Sequence, residues 1–171
     1  MHAFDSRTIV GRLALATCLM MASPLGLNRL GDATWVGFIG QAQAQETPLA
    51  RTTLQAGMHL IRAEIAADPA SRSRGLMFRE RLGPNEGMLF IFEQPSTQCF
   101  WMRNTLIPLT IAFLAEDGRI VNTADMEPRS EASHCSSEAV RFALEMERGW
   151  FAKRGLNKGD RLSAPTFFRT P

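Results

Sequence analysis

Between Met58 and Ser163 the apolar residues recur mostly with period two, the spacing of a strand. Ile61, Ala63 and Ile65 alternate with Arg62 and Glu64, as in a half-buried strand. Residues 88–92 (MLFIF) form a continuous apolar run, too short for a helix, and fit a strand buried on both faces. After a Gln94-Pro95-Ser96 break, residues 99–103 read as another strand. Residues 109–114 are a further apolar strand, and the Asp117-Gly118 pair predicts a tight hairpin with two positive-φ residues, returning along 120–123. Val140, Phe142, Leu144 and Met146 alternate with Arg141, Ala143, Glu145 and Glu147, the clearest period-two stretch. A last short strand, 161–163, follows the Lys158-Gly159-Asp160 turn. Two short helices interrupt this pattern. Asp68 before Pro69 is an N-cap with proline in the first helical position, and the helix ends near Arg74-Gly75. Residues 149–154 form another turn or two, closed by Gly155. The expectation is a compact, mainly β domain, sandwich or jelly-roll-like, with two short helices.

The ends of the chain follow other patterns. Residues 45–57 are polar and read as a flexible lead-in to a domain at 58–163, and 164–171 read as a tail. In residues 1–44, Arg7 and Arg12 precede a short apolar run, 13–22, broken by Pro24. A second run, 35–40, leads to Gln41-Ala42-Gln43-Ala44-Gln45, where Ala42 and Ala44 match a signal peptidase site. A membrane anchor needs about 20 continuous apolar residues, and neither run reaches that. Residues 1–44 therefore read as a signal peptide cleaved after Ala44, which places the protein in the periplasm or outside the cell. Cleavage near Ala22 is an alternative, and a lipoprotein at Cys18 a weaker one.

Export changes the charge and cysteine counts. The whole chain has 171 residues, 19 basic and 17 acidic, a net charge of +2. Cleavage removes Arg7, Arg12 and Arg29, and Asp5 and Asp32, leaving 16 basic and 15 acidic residues. Near-neutrality argues against nucleic acid as a partner. Of the three cysteines, Cys99 and Cys135 remain.

Certain strings carry more than periodicity. Residues 74–79 (RGLMFR) and 86–90 (EGMLF) precede 100–109 (FWMRNTLIPL). Asp117-Gly118, Ala143-Leu144-Glu145, Gly149 and Lys158-Gly159-Asp160 follow in order. This set resembles the DUF192 family, bacterial and archaeal proteins of unknown function that are often exported. The resemblance covers about residues 58–163. It implies a compact, mainly β domain and no established activity. The chain departs from the family's pattern at Thr110, where an acidic residue usually follows the IPL string.

The strongest candidate for a site is Trp101, Arg103, Asn104 and Thr105. On a strand Cys99, Trp101 and Arg103 face one way, and Phe100, Met102 and Asn104 the other. Trp beside Arg can form a flat recognition surface, with Arg74 and Arg79 joining from the helix side. Such a surface suits an anionic or carbohydrate-like ligand. The structural alternative has Trp101 in the core and Arg103 paired with Glu80, Glu86 or Glu93. The methionines at 58, 77, 88, 102, 126 and 146 are too dispersed for copper and read as core fillers. Asp125, His134 and Cys135 are the raw material of a composite enzyme site in the periplasm, one alternative function; a structural or partner-binding module is the other. No catalytic motif surrounds them, and no four-ligand metal set is visible. No catalytic residue, no metal and no cofactor is therefore expected. The expected partner is an unidentified small ligand or protein, without nucleic acid and without a membrane span after cleavage. In an oxidising compartment Cys99 and Cys135 form a candidate disulfide, with two free buried thiols as the alternative.

Overall fold

The computed structural model describes residues 48–168. The expected signal peptide, 1–44, lies outside the described residues. Among the described residues nine strands follow one another: β1 (Arg51–Ala56), β2 (His59–Ala66), β3 (Glu86–Ser96), β4 (Cys99–Phe100), β5 (Leu109–Leu114), β6 (Ile120–Met126), β7 (His134–Cys135), β8 (Val140–Glu147) and β9 (Leu162–Ser163). One helix, α1 (Pro69–Arg74), lies between β2 and β3, and a 3-10 turn spans Ala152–Arg154. The fold is mainly β, as the strand periodicity requires.

Seven strands form one sheet in the order β6-β5-β8-β3-β2-β1-β9, and β4 pairs with β7 as a separate ribbon. The sheet curls until its ends approach. Arg119, before β6, bridges to Arg161, before β9, and the Leu162 N–H donates to the Gly118 carbonyl at 3.0 Å. Gly118, with φ of 78°, is the one positive-φ residue of its turn, not one of two. A β-carbon there would collide with the Leu162 carbonyl oxygen. The glycine therefore permits both the turn and the approach of β9.

Curling gives the sheet two hydrophobic faces. The concave face holds Leu54, Ile61, Leu89, Ala112, Phe142, Leu144, Trp150 and Phe168. The convex face holds Met88, Phe90, Ile111, Phe113 and Ala143, covered by Leu76 and Met102. Phe100, just before Met102, packs edge-on against Phe90, Phe92 and Phe113 at 4.9, 6.3 and 5.8 Å.

One further expectation needs correction. Residues 51–56, within the expected lead-in, are β1. Only Leu54 and Ala56 point inward there, so the polar composition of the segment concealed a real alternation. β8 alternates in sequence, but the structure buries both of its faces. It lies between β3 and β5 with both faces covered, and Ala143 and Glu145 are as buried as Leu144.

Candidate functional site

The site begins at a helix cap. The Asp68 carboxylate accepts hydrogen bonds from the Ala70 and Ser71 amides at 3.0 and 2.9 Å and from the Ser71 hydroxyl at 2.6 Å. The Ser71 hydroxyl is the chief reason its pKa lies below the usual 3.8. This cap fixes α1, whose last residue is Arg74, and Gly75 turns the chain with φ of 51° against the Phe90 ring. The following residues run over the convex face. Leu76 is buried, and Phe78 is 61% exposed on a left-handed backbone with φ of 62°.

Phe78 connects the two strings. Its N–H donates to the Asn104 carbonyl at 2.9 Å, and Asn104 is itself left-handed, with φ of 60°. Asn104 sits in a tight turn after β4. The Thr105 N–H donates to the Met102 carbonyl at 3.0 Å, and the Met102 N–H donates to the Ser130 carbonyl at 2.8 Å. The strand expected at 99–103 thus ends at Phe100.

Beside this junction lies a cavity of about 930 Å³, lined by Leu49, Arg51, Glu64, Arg74, Met77, Phe78 and Arg79 among others. Its ionic wall is ordered. Arg79 clamps Glu64 with both terminal nitrogens, Nη1 lying 3.2 Å from Oε1 and Nη2 on Oε2. Arg51 Nη2 reaches the same Oε1 at 3.1 Å. Sheet register explains this. Arg51 stands opposite Glu64 across β1–β2, on the convex face.

The same row runs inward. Glu64 is level with Met88, Met88 with Glu145, and Glu145 with Ile111. Two strand spacings put Glu145 about 10 Å from Glu64. Glu145 is only 4% exposed, and burial pushes its carboxyl from 4.5 up to about 8. The β3 strand can lie this close because position 87 is glycine. A β-carbon there would run into the Glu145 carbonyl oxygen and the Met146 sulfur.

The expected site residues divide. Arg74 and Arg79 line the cavity, and Asn104 is hydrogen-bonded to its Phe78. Thr105 is buried and holds the turn, with its carbonyl accepting the Arg129 N–H at 3.0 Å. Trp101 and Arg103 share that turn but do not line the cavity. Trp101 is 50% exposed, so Met102 is the core residue of the string and Trp101 is not. The Arg103 guanidinium stacks 4.5 Å from the Trp101 ring centroid and pairs with Glu131 at 2.9 Å, not with Glu80, Glu86 or Glu93. The sequence reading missed Arg51, Glu64 and Glu145. Arg51 lies in the expected lead-in, and only the β1–β2 register shows that it meets Glu64.

The alternative composite site loses its nucleophile. Cys99 and Cys135 stand opposite each other in the β4–β7 pair and are joined as a disulfide. Asp125 accepts a hydrogen bond from the Thr110 hydroxyl, which in turn accepts the Gly149 N–H at 2.8 Å. Thr110 thus caps the turn after β8, while Asp125, directly across the β5–β6 pair, supplies a carboxylate. Thr110→Val should cost about 1–3 kcal/mol by leaving the Gly149 N–H without its acceptor. Urea unfolding checks this, and an unchanged midpoint refutes the capping role. Among the described residues no three His, Cys, Asp or Glu side chains are grouped to hold a metal. Among the same residues, no helix is long and apolar enough to cross a membrane.

The curled sheet, its ribbon cover and the cavity beside α1 define a class of small β domain built round the RGLMF and FWMRN strings. Residues 51–164 match the model of DUF192, described as "Uncharacterized ACR", and the chain belongs to that family. No curated protein matches it. It is similar to a crystal structure from Sinorhizobium meliloti described as a candidate transcription regulator, with 37% identity and a TM-score of 0.65. That alignment covers 69% of this chain and 96% of the other. A protein of unknown function from Novosphingobium aromaticivorans is 36% identical, also at a TM-score of 0.65, over 68% of this chain and 86% of that one.

Proposed function

We propose that the protein is an exported binding module. Its site is the cavity beside α1 together with the adjoining Trp101–Arg103 turn. One observation carries this reading. The hydrogen bond from Phe78 to Asn104 joins the cavity's edge to the exposed Trp101–Arg103 stack, and both ends have left-handed backbones. Non-glycine residues in that conformation cost free energy and cluster at ligand sites. The near-neutral charge of residues 45–171 favours a small ligand over a nucleic acid.

A fragment screen by thermal shift on purified protein tests the proposal. Hits should bind about ten-fold or more weakly to Arg79→Ala and Trp101→Ala, since each substitution removes one of the principal contacts. Hits that bind both variants as well as wild type overturn the site. Intact mass of protein from the native host tests export. A mass beginning at Met1 overturns it.

A further inference from the structure

We propose that the cavity takes an amphiphilic monoanion. Its ligand is an organic acid with one acidic head, held by Arg51 and Arg79, and an apolar body lying against Met77 and Phe78. This rests on the cavity-binding reading above and adds the ligand's chemistry.

Charge points to the acid. Arg51 and Arg79 converge on the single Glu64 carboxylate, which leaves one positive charge in that wall. Glu64, with its side chain only 12% exposed, is held from both sides and keeps the two guanidinium groups together. Arg51 donates to it through Nη2 alone, so the rest of its planar fork, at a 61% exposed side chain, is open to a second oxyanion. The other carboxylate in the lining, Asp68, has its oxygens taken up by the α1 cap.

The remaining lining argues for an apolar body. Pro48, Leu49, Ala70, Met77 and Phe78 supply hydrocarbon. The neutral polar side chains are Ser71, whose hydroxyl already bonds Asp68, and Ser73, which is too little to read a sugar. The charged side chains of the lining, Arg51, Arg74 and Arg79 against Glu64 and Asp68, sum to one positive charge, which disfavours a cation. At about 930 Å³ the cavity is also far larger than an inorganic anion needs and suits a small organic molecule. Phe78 fits the same picture. An exposed ring on a strained backbone gains little from folding, but it stands at the edge of the cavity where an apolar body would cover it.

The experiment is isothermal titration of the purified full chain with octanoate, octylamine and octyl glucoside. These share a tail and differ in head charge. Octanoate should bind about ten-fold or more tightly than the other two. Arg51→Gln, which spares the Arg79–Glu64 clamp, should weaken octanoate by a similar factor. Ala70→Trp, which fills the cavity from exposed helix surface, should abolish it. If octylamine or octyl glucoside binds as well as octanoate and Ala70→Trp abolishes that binding, the cavity reading stands and the acid assignment is overturned. Octanoate binding unaffected by Ala70→Trp overturns both. If none of the three binds, the acid assignment is overturned, and the fragment screen alone decides the cavity reading.

Discussion

Replacing Cys99 and Cys135 together by serine should lower the unfolding free energy by about 3–4 kcal/mol. The bond closes a loop with a sequence separation of 36 residues, and restricting that loop in the unfolded chain is worth roughly this much in the chain-entropy model. Besides the bond, the native ribbon is held by the packing of Phe100 against three phenylalanines and by a few hydrogen bonds. β4 and β7 are two residues each, shorter than any pair stable by itself. The ribbon's flank is tied by Ser136 N–H to the Gln98 carbonyl at 2.9 Å and Gln98 N–H to the Ser136 hydroxyl at 3.1 Å, and the Asn122 side chain donates to the Cys135 carbonyl at 3.1 Å. Amide exchange should therefore quicken first around residues 99–103 and 130–136, where Trp101, Arg103 and Glu131 sit. Urea unfolding with and without reductant gives the global number, and hydrogen-exchange mass spectrometry gives its location. A double variant as stable as wild type, or two free thiols in denatured protein kept from reductant, would remove the bond from this account.

That disulfide shows how far the sequence could go. An even pair of cysteines made a bridge possible, but only the β4–β7 register puts the two residues opposite each other. The strands at 109–114 and 140–147 were legible because their apolar residues recur without interruption, and α1 because Asp68, Pro69 and Gly75 mark both its ends. β1 was not, because two inward residues among polar ones do not stand out until β2 pairs with them. The candidate site was half legible. The strings around Arg74–Arg79 and Trp101–Thr105 were recognisable as unusual, and they do meet, through Phe78 and Asn104. The cavity wall was not legible, because Arg51 and Glu64 are distant in sequence and joined by sheet register. The burial of Glu145 was not legible for a related reason. Alternation tells which residues share a face, but not whether that face is covered. Leu76 and Met102 cover it, and they come from the two strings themselves.

Glu145 therefore makes the protein lose stability as pH rises. Its folded pKa, about 8, lies above the ordinary 4.5 because the carboxyl is buried. The row neighbours on its two flanking strands, Met88 and Ile111, are apolar and offer no counter-charge. Below pH 4.5 both folded and unfolded chains hold the proton, and the stability is fully present. Between pH 4.5 and 8 the unfolded chain releases the proton while the native chain retains it, so stability falls with each unit. Each unit of difference is worth about 1.4 kcal/mol, for a total loss of roughly 4–5 kcal/mol by pH 9. Asp68 acts in the opposite sense, since its lowered pKa costs stability only as pH falls through the acid range below 3.8. Glu145→Gln keeps the shape of the protonated carboxyl and removes its titration. The variant should match wild type near pH 4.5 and exceed it by about 3–5 kcal/mol at pH 9. Urea unfolding of both proteins at unit steps from pH 4.5 to 9 measures the difference. Parallel curves for the two would mean that the Glu145 carboxyl titrates as if in water, and burial would not govern its protonation.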